Sequence, residues 1–291
     1  MDILKSEQYI GEKLNIAPVT KERLKMSVYD FAAVRDFIHD NKLVYNKETK
    51  CYDCEESVSV DDRIVRDDKT GFLINFGVVL GFFCNGCKLV GLNGAPKEVL
   101  DKFNCANNKL TNLIGSPTKV GYFYCYNNKL TSLEGAPVEV EHDFNCRDNQ
   151  LTTLEHAPKK VGGMFICKGN KLTTLEGAPY QCKTFNCSDN ELYSLEFAPK
   201  KVWGNFLCSN NHLTMLEYAP PMAVLFDCSR NELTSLVGAP NRVTKDFYCN
   251  KNNLKTLVGA PRYVGGTFDC TENPLVSLDG KPVTIVGHFA H

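Results

Sequence analysis

FYCYNNKLTSLEGAP, Phe123 to Pro137, is one turn of a pattern that returns along the chain every 20 or 21 residues. Its cysteine recurs ten times, at Cys84, Cys105, Cys125, Cys146, Cys167, Cys187, Cys208, Cys228, Cys249 and Cys270. Two residues before each cysteine stands phenylalanine, from Phe82 to Phe268, and Phe289 continues the register with His291 in the cysteine place. Asparagine follows three residues after, from Asn108 to Asn273, and only the first unit departs, with Cys87. Leucines hold the fifth and eighth places, and proline the twelfth, from Pro96 to Pro282. A fixed period near 20 residues specifies a solenoid.

The chemistry of one unit follows from this frame. Phe-x-Cys alternates with the period of a short strand whose Phe and Cys point inward. The neighbouring strand is the same segment of the next unit, so the strands pair in parallel. Asparagine ends the strand, and its amide satisfies turn backbone groups that would otherwise be buried unpaired. No unit can bury its own Phe, Cys and Leu; stacking makes one continuous core. Units this short leave no room for convex helices, so extended or turn segments fill that side.

The frame F-x-C-x-x-N-x-L-x-x-L-x-G-A-P resembles short bacterial leucine-rich repeats. Its "CYNNKLTSLEGAP" form at Cys125–Pro137 and the lead-in "IGEKLNIAPVTKERL" (Ile10–Leu24) are similar to leucine-rich-repeat proteins encoded by large tailed bacteriophages. The resemblance spans residues 82–291. It implies a non-enzymatic protein-binding module, phage-encoded and acting in the host cytoplasm, that engages a host or phage protein. A structural component of a virus particle is the second reading. An enzyme with a site in the N-terminal region is the third.

The organisation expected is a helical segment over 1–44, a β-rich cap over 45–81 and the solenoid of about ten units over 82–291. Together they form a β-rich solenoid preceded by a small α+β cap. Val28, Phe31, Val34, Phe37 and Ile38 have helical spacing after a Ser27-x-x-Asp30 start, and a weaker helix is expected around residues 3–14. "VYNKETKCYDC" predicts a hairpin around Asn46–Thr49, and "SVSV" and "GFLINFGVVLGFF" (Gly71–Phe83) predict strands.

Net charge is −1. That balance argues against nucleic acid as the main partner, and against an acidic membrane. The N-terminus lacks the apolar stretch of a signal peptide, no apolar run reaches the length of a membrane span, and fourteen cysteines then suggest a reducing cytoplasm. The ladder cysteines read as apolar core. Cys51-x-x-Cys54 with Cys84-x-x-Cys87 has the spacing of a four-cysteine structural zinc site, against the alternative of free thiols; no other cofactor is implied. His39, His142, His156, His212, His288 and His291 are scattered, and no phosphate loop or catalytic constellation is present.

Outward strand positions are free of the core and carry the informative variation. Tyr122, Tyr124 and Tyr126 share one strand; beside them lie Asp143, Asn145 and Arg147, then Met164, Ile166 and Lys168. Aromatics, methionine and arginine grouped in this way match protein-interface hot spots, against the alternative that tyrosines simply suit strands. The last strand, with Phe289 and His291, is expected to leave an open edge, which either pairs with a second copy in a homodimer or stays solvated in a monomer.

Overall fold

The structure, a computed structural model, describes residues 28–66 and 68–291. The weaker helix expected around 3–14 and the Ser27 start lie outside the described residues. Helix α1 covers Val28–Asp40 and buries Val34 and Phe37. Strand β1 (Val44–Asn46) turns back antiparallel onto β2 (Cys51–Ser59). At that turn Asn46 Oδ1 accepts the amides of Glu48 and Thr49, the side-chain-to-backbone bond that makes asparagine a turn residue.

From β2 onward every pairing in the long sheet is parallel and follows chain order. β3 (Phe76–Phe83), β4 (Glu98–Asn104) and β5 (Lys119–Tyr124) are long, and the later strands shrink to two or three residues, ending with Phe289–Ala290. All thirteen strands, hairpin included, form one sheet. β3 therefore runs across the 81/82 boundary, and the β-rich segment expected as a cap supplies the first strands of the solenoid sheet itself. Of "GFLINFGVVLGFF" only Phe76–Phe83 is strand. Upstream of it, Gly71 and Phe72 make isolated bridges, to Asn93 and Val65 respectively.

The inward positions are occupied as the frame predicts. Phe82 through Phe268 are fully buried, and from Phe82 to Phe289 successive rings lie 5.2–5.9 Å apart. The ladder cysteines are buried free thiols. Several donate to a carbonyl of the next turn, as Cys146 does to Ile166 at 3.5 Å and Cys167 to Asn186 at 3.3 Å.

Asparagine bridges two turns at once. Asn190 Nδ2 donates to the carbonyls of Cys167 (3.2 Å), Cys187 (3.0 Å) and Ser188 (3.1 Å), while its Oδ1 accepts the amide of Leu172 from the preceding turn (3.0 Å). The same set recurs from Asn108 to Asn252, all buried. Among the described residues no buried side-chain nitrogen or oxygen lacks a partner.

The return path is made of turns and of a second parallel ladder that the frame does not announce. Five or six residues before each cysteine a small apolar side chain points inward (Val140, Val161, Cys182, Val202, Ala223, Val243 and Val264) and two-residue strands pair there. We call this the flank ladder. Among the described residues no helix is long and apolar enough to cross a membrane.

Candidate functional site

In solenoids of this kind the long sheet lines the inner side of the curve, and its solvent face holds the predicted patch. The parallel register sets Lys102 beside Tyr122, Asn104 beside Tyr124, and Tyr124 beside Asn145, which is followed by Ile166. Because Phe123 and Cys125 point into the core, Tyr122, Tyr124 and Tyr126 must point out, and all three are half-exposed. Their rings form a row, with centroids 6.2 Å apart between Tyr122 and Tyr124 and 6.4 Å between Tyr124 and Tyr126.

Cations close both ends of that row. Lys102 Nζ lies 5.4 Å from the Tyr122 ring and 5.5 Å from that of Tyr124, and the Arg147 guanidinium stands 4.9 Å over Tyr126. His142 lies against Tyr122 with ring centroids 4.5 Å apart and planes tilted by 31°. Such contacts fix flat, amphipathic side chains in place before any partner arrives, and pre-ordering lowers the entropic cost of binding. Partial burial, and after it the negative charge of Asp143, raises the Tyr124 hydroxyl above the usual phenol range, so it is a neutral donor at physiological pH.

Several predicted members are already engaged within the fold. Asp143 Oδ1 accepts the Met164 amide at 2.7 Å, supplying a bond that the short strand lacks, and Asn145 Oδ1 accepts the amide of Arg147 at 3.1 Å. Lys168 pairs with Asp189 at 3.0 Å. Met164 is exposed and Ile166 half-buried, extending the apolar surface by one turn.

Lys102 and His142 were not part of the predicted patch. Lys102 stands three residues before its cysteine, the column that also supplied Tyr122, so weighing that column for charge as well as for aromatics would have found it; His142, four before Cys146, lies off that column and carried no such signal. Exposed Val44, Val78 and Leu100 also line an open depression on β1, β3 and β4, rimmed by Asp53, Glu55 and Glu56.

The four cysteines proposed as a zinc set do not come together. Register places Ser59 of β2 beside Phe83, so Cys84 lies level with Val60, nine residues along the sheet from Cys51. At roughly 3.3 Å per residue that is on the order of 30 Å, far beyond any shared ligand sphere. Cys51 donates to Thr49, Cys54 to Asn41 and Cys87 to Val60, while Cys84 belongs to the core ladder. Among the described residues no group of three or more His, Cys, Asp or Glu side chains could hold a metal ion.

Parallel strands one per turn, the phenylalanine core and the buried asparagine ladder define the class: a leucine-rich-repeat solenoid. The chain matches no protein-family model and no curated protein. Among solved structures it is similar to YopM from Yersinia enterocolitica WA-314, with 19% identity and a TM-score of 0.44. The alignment covers 82% of this chain and 62% of that one, so the chain spans less than two thirds of the length of the structure it resembles.

Proposed function

We propose that the chain is a non-enzymatic protein-binding module that engages its partner through the solvent face of the long sheet, around Tyr122–Lys168. One observation carries the reading: three outward tyrosines in a row, pinned by Lys102, His142 and Arg147, have no role in the core they sit on. Aromatic anchors beside arginine are what interfaces use where binding energy concentrates. That the partner is a host or phage protein in the host cytoplasm, and that the chain is not itself a structural component of a virus particle, rests on the resemblance of the repeat frame alone.

The test compares partners captured by wild type and by a Tyr122→Ala/Tyr124→Ala/Tyr126→Ala variant. The expected result is a specific partner lost from the variant, with affinity down at least about 100-fold, since each anchor contributes on the order of 1–2 kcal/mol. Identical recovery from both proteins would refute the assignment.

A homodimer through the last turn is a second reading, favoured by exposure there. Phe289 and Ile285 are only partly covered, whereas their counterparts in the turn before, Phe268 and Val264, are buried, and Val276 and Val283 nearby are 80% and 81% exposed. Light scattering on wild type and Phe289→Asp decides it: the expected outcome is a dimer reduced to monomer, and a wild-type monomer or an unaffected dimer removes the reading.

A further inference from the structure

Net charge averages over faces, and the flank ladder carries a distribution that the average conceals. Six consecutive turns, taken from the turn proline to the residue four before the cysteine (158–163, 179–183, 199–204, 220–224, 240–245 and 261–266), contain eight Lys or Arg and no Asp or Glu. The register sets Gln181 beside Lys201, Met222 beside Arg242 and Arg242 beside Tyr263. Because Cys182, Val202 and Val243 fill the inward places, these side chains point to solvent.

Up to and including the first of these turns cations are neutralised, Lys119 by Glu98 at 3.9 Å and Lys160, one of the eight, by Glu139 at 2.7 Å. Beyond that point the pairing stops. Among the described residues Lys183, Lys200, Lys201, Arg242 and Arg262 make no ion pair. The carboxylates of the same turns, Glu155, Glu176, Glu196 and Glu217, all stand three residues before the proline, on the other side of the turn.

Rings are interleaved with the cations. Tyr180 is 60% and Trp203 53% exposed, Lys201 approaches the Tyr180 ring at 6.0 Å, and Arg242 stacks over Tyr263 at 3.9 Å. Five steps of about 4.8 Å make the stripe roughly 24 Å long.

We propose that this stripe is a binding site for single-stranded nucleic acid, separate from the face assigned to a protein partner. A run of unpaired cations tracks a phosphate backbone, and exposed rings beside it give bases a stacking surface that tolerates any sequence. An acidic peptide would use the cations and leave Tyr180 and Trp203 idle. A bilayer needs contiguous apolar surface, which the charges interrupt at most turns.

Trp203 is the single tryptophan of the chain, so emission excited at the red edge of the absorption band, where tyrosine does not absorb, reports on this stripe. The full chain is titrated with an oligothymidylate of about 10 nucleotides, with a polyglutamate peptide of similar charge, and with phosphatidylserine vesicles. Saturable quenching by the oligonucleotide is expected, with affinity falling about 50-fold between roughly 50 and 200 mM salt, as four neutralised phosphates require. Lys200→Glu/Lys201→Glu should weaken it at least tenfold while the circular dichroism spectrum is unchanged; Arg242→Gln/Arg262→Gln serves if the first pair perturbs folding. The proposal is overturned by an absent response at about 0.1 mM oligonucleotide, or by full affinity in a folded charge variant. Polyglutamate binding as tightly, or a blue shift with vesicles alone, overturns it in favour of an acidic protein or a membrane. Loss of protein-partner capture in the tyrosine variant does not bear on any of these outcomes.

Discussion

Asparagine is the residue on which the turn depends. A strand two residues long exposes its own carbonyls to the core within one step, and each Asn amide covers a carbonyl of its own turn and one of the turn before while its oxygen takes an amide. Asn190→Ala leaves the Leu172 amide buried without an acceptor and takes one of two donors from the carbonyls of Cys167 and Cys187. A stability loss of about 2–3 kcal/mol is expected, read as a lower urea midpoint; a loss below about 0.5 kcal/mol would show that water substitutes there. The thiols offer a second check at this scale. Burial pushes the ladder cysteines up, Cys146 to about 12; Cys87 is raised as well, by burial and then by Asp62 and Asp61, but it is the one thiol that is partly exposed. Native protein treated with a thiol reagent near pH 8 should therefore be modified first at Cys87, with the ladder protected until unfolding. Early labelling of Cys125 or Cys208, located by peptide mapping, would contradict the packing.

At the scale of the turn, the backbone has to pass through a left-handed residue ten after the cysteine. Glycine holds that place in most turns, as Gly177 does with φ +92°, where an added Cβ would meet Leu154 O at 2.2 Å. Gly177→Ala should therefore cost about 2 kcal/mol or more. The turns holding Phe197 and Tyr218 solve the same problem at φ 64° and 70°, a conformation that costs a bulky residue roughly 1 kcal/mol, so Phe197→Gly is expected to be neutral or slightly stabilising in the same urea assay. How much of this was legible follows from what repeats. Phe, Cys, Asn, Leu and Pro occupy positions the stack cannot vary, so parallel strands, inward faces and the asparagine role could be read directly. The flank ladder could not: its inward residue changes among Val, Cys and Ala, and two-residue strands show no alternation. The CxxC pairs misled because spacing along the chain says nothing about register, and parallel pairing of β2 with β3 draws the two pairs apart. The tyrosine row was visible as the outward positions of one strand, with Arg147 beside it; that Lys102 and Arg147 lie over its rings, and that His142 lies against Tyr122, needed the structure.

Over the whole molecule, identical groups stacked in one core make their small effects add. Each turn contacts only its neighbours, so stability is close to a sum of similar terms, and that sum includes the ionisation of the thiols. Cys146 and Cys182 are pushed up to about 12 and Cys270 to about 11, in each case first by burial, against 9.0 for a free thiol. A group whose folded pKa lies above its unfolded one stabilises fully below the unfolded value and loses that contribution as pH climbs toward the folded one. Between about pH 9 and pH 11 the unfolded chain therefore sheds thiol protons that the native state keeps. Each such thiol lowers stability as pH rises through this range, and because the group repeats from turn to turn the losses accumulate. The urea midpoint should hold steady up to about pH 8.5 and then collapse by about pH 10. Lysines and tyrosines also titrate in that range, so Cys146→Ala isolates the cause. It should be less stable than wild type at pH 7 through lost packing, and its stability should fall less steeply with pH by about one proton. A variant as steep as wild type would mean that the ladder thiols ionise in the folded protein, which a dry, stacked core does not allow.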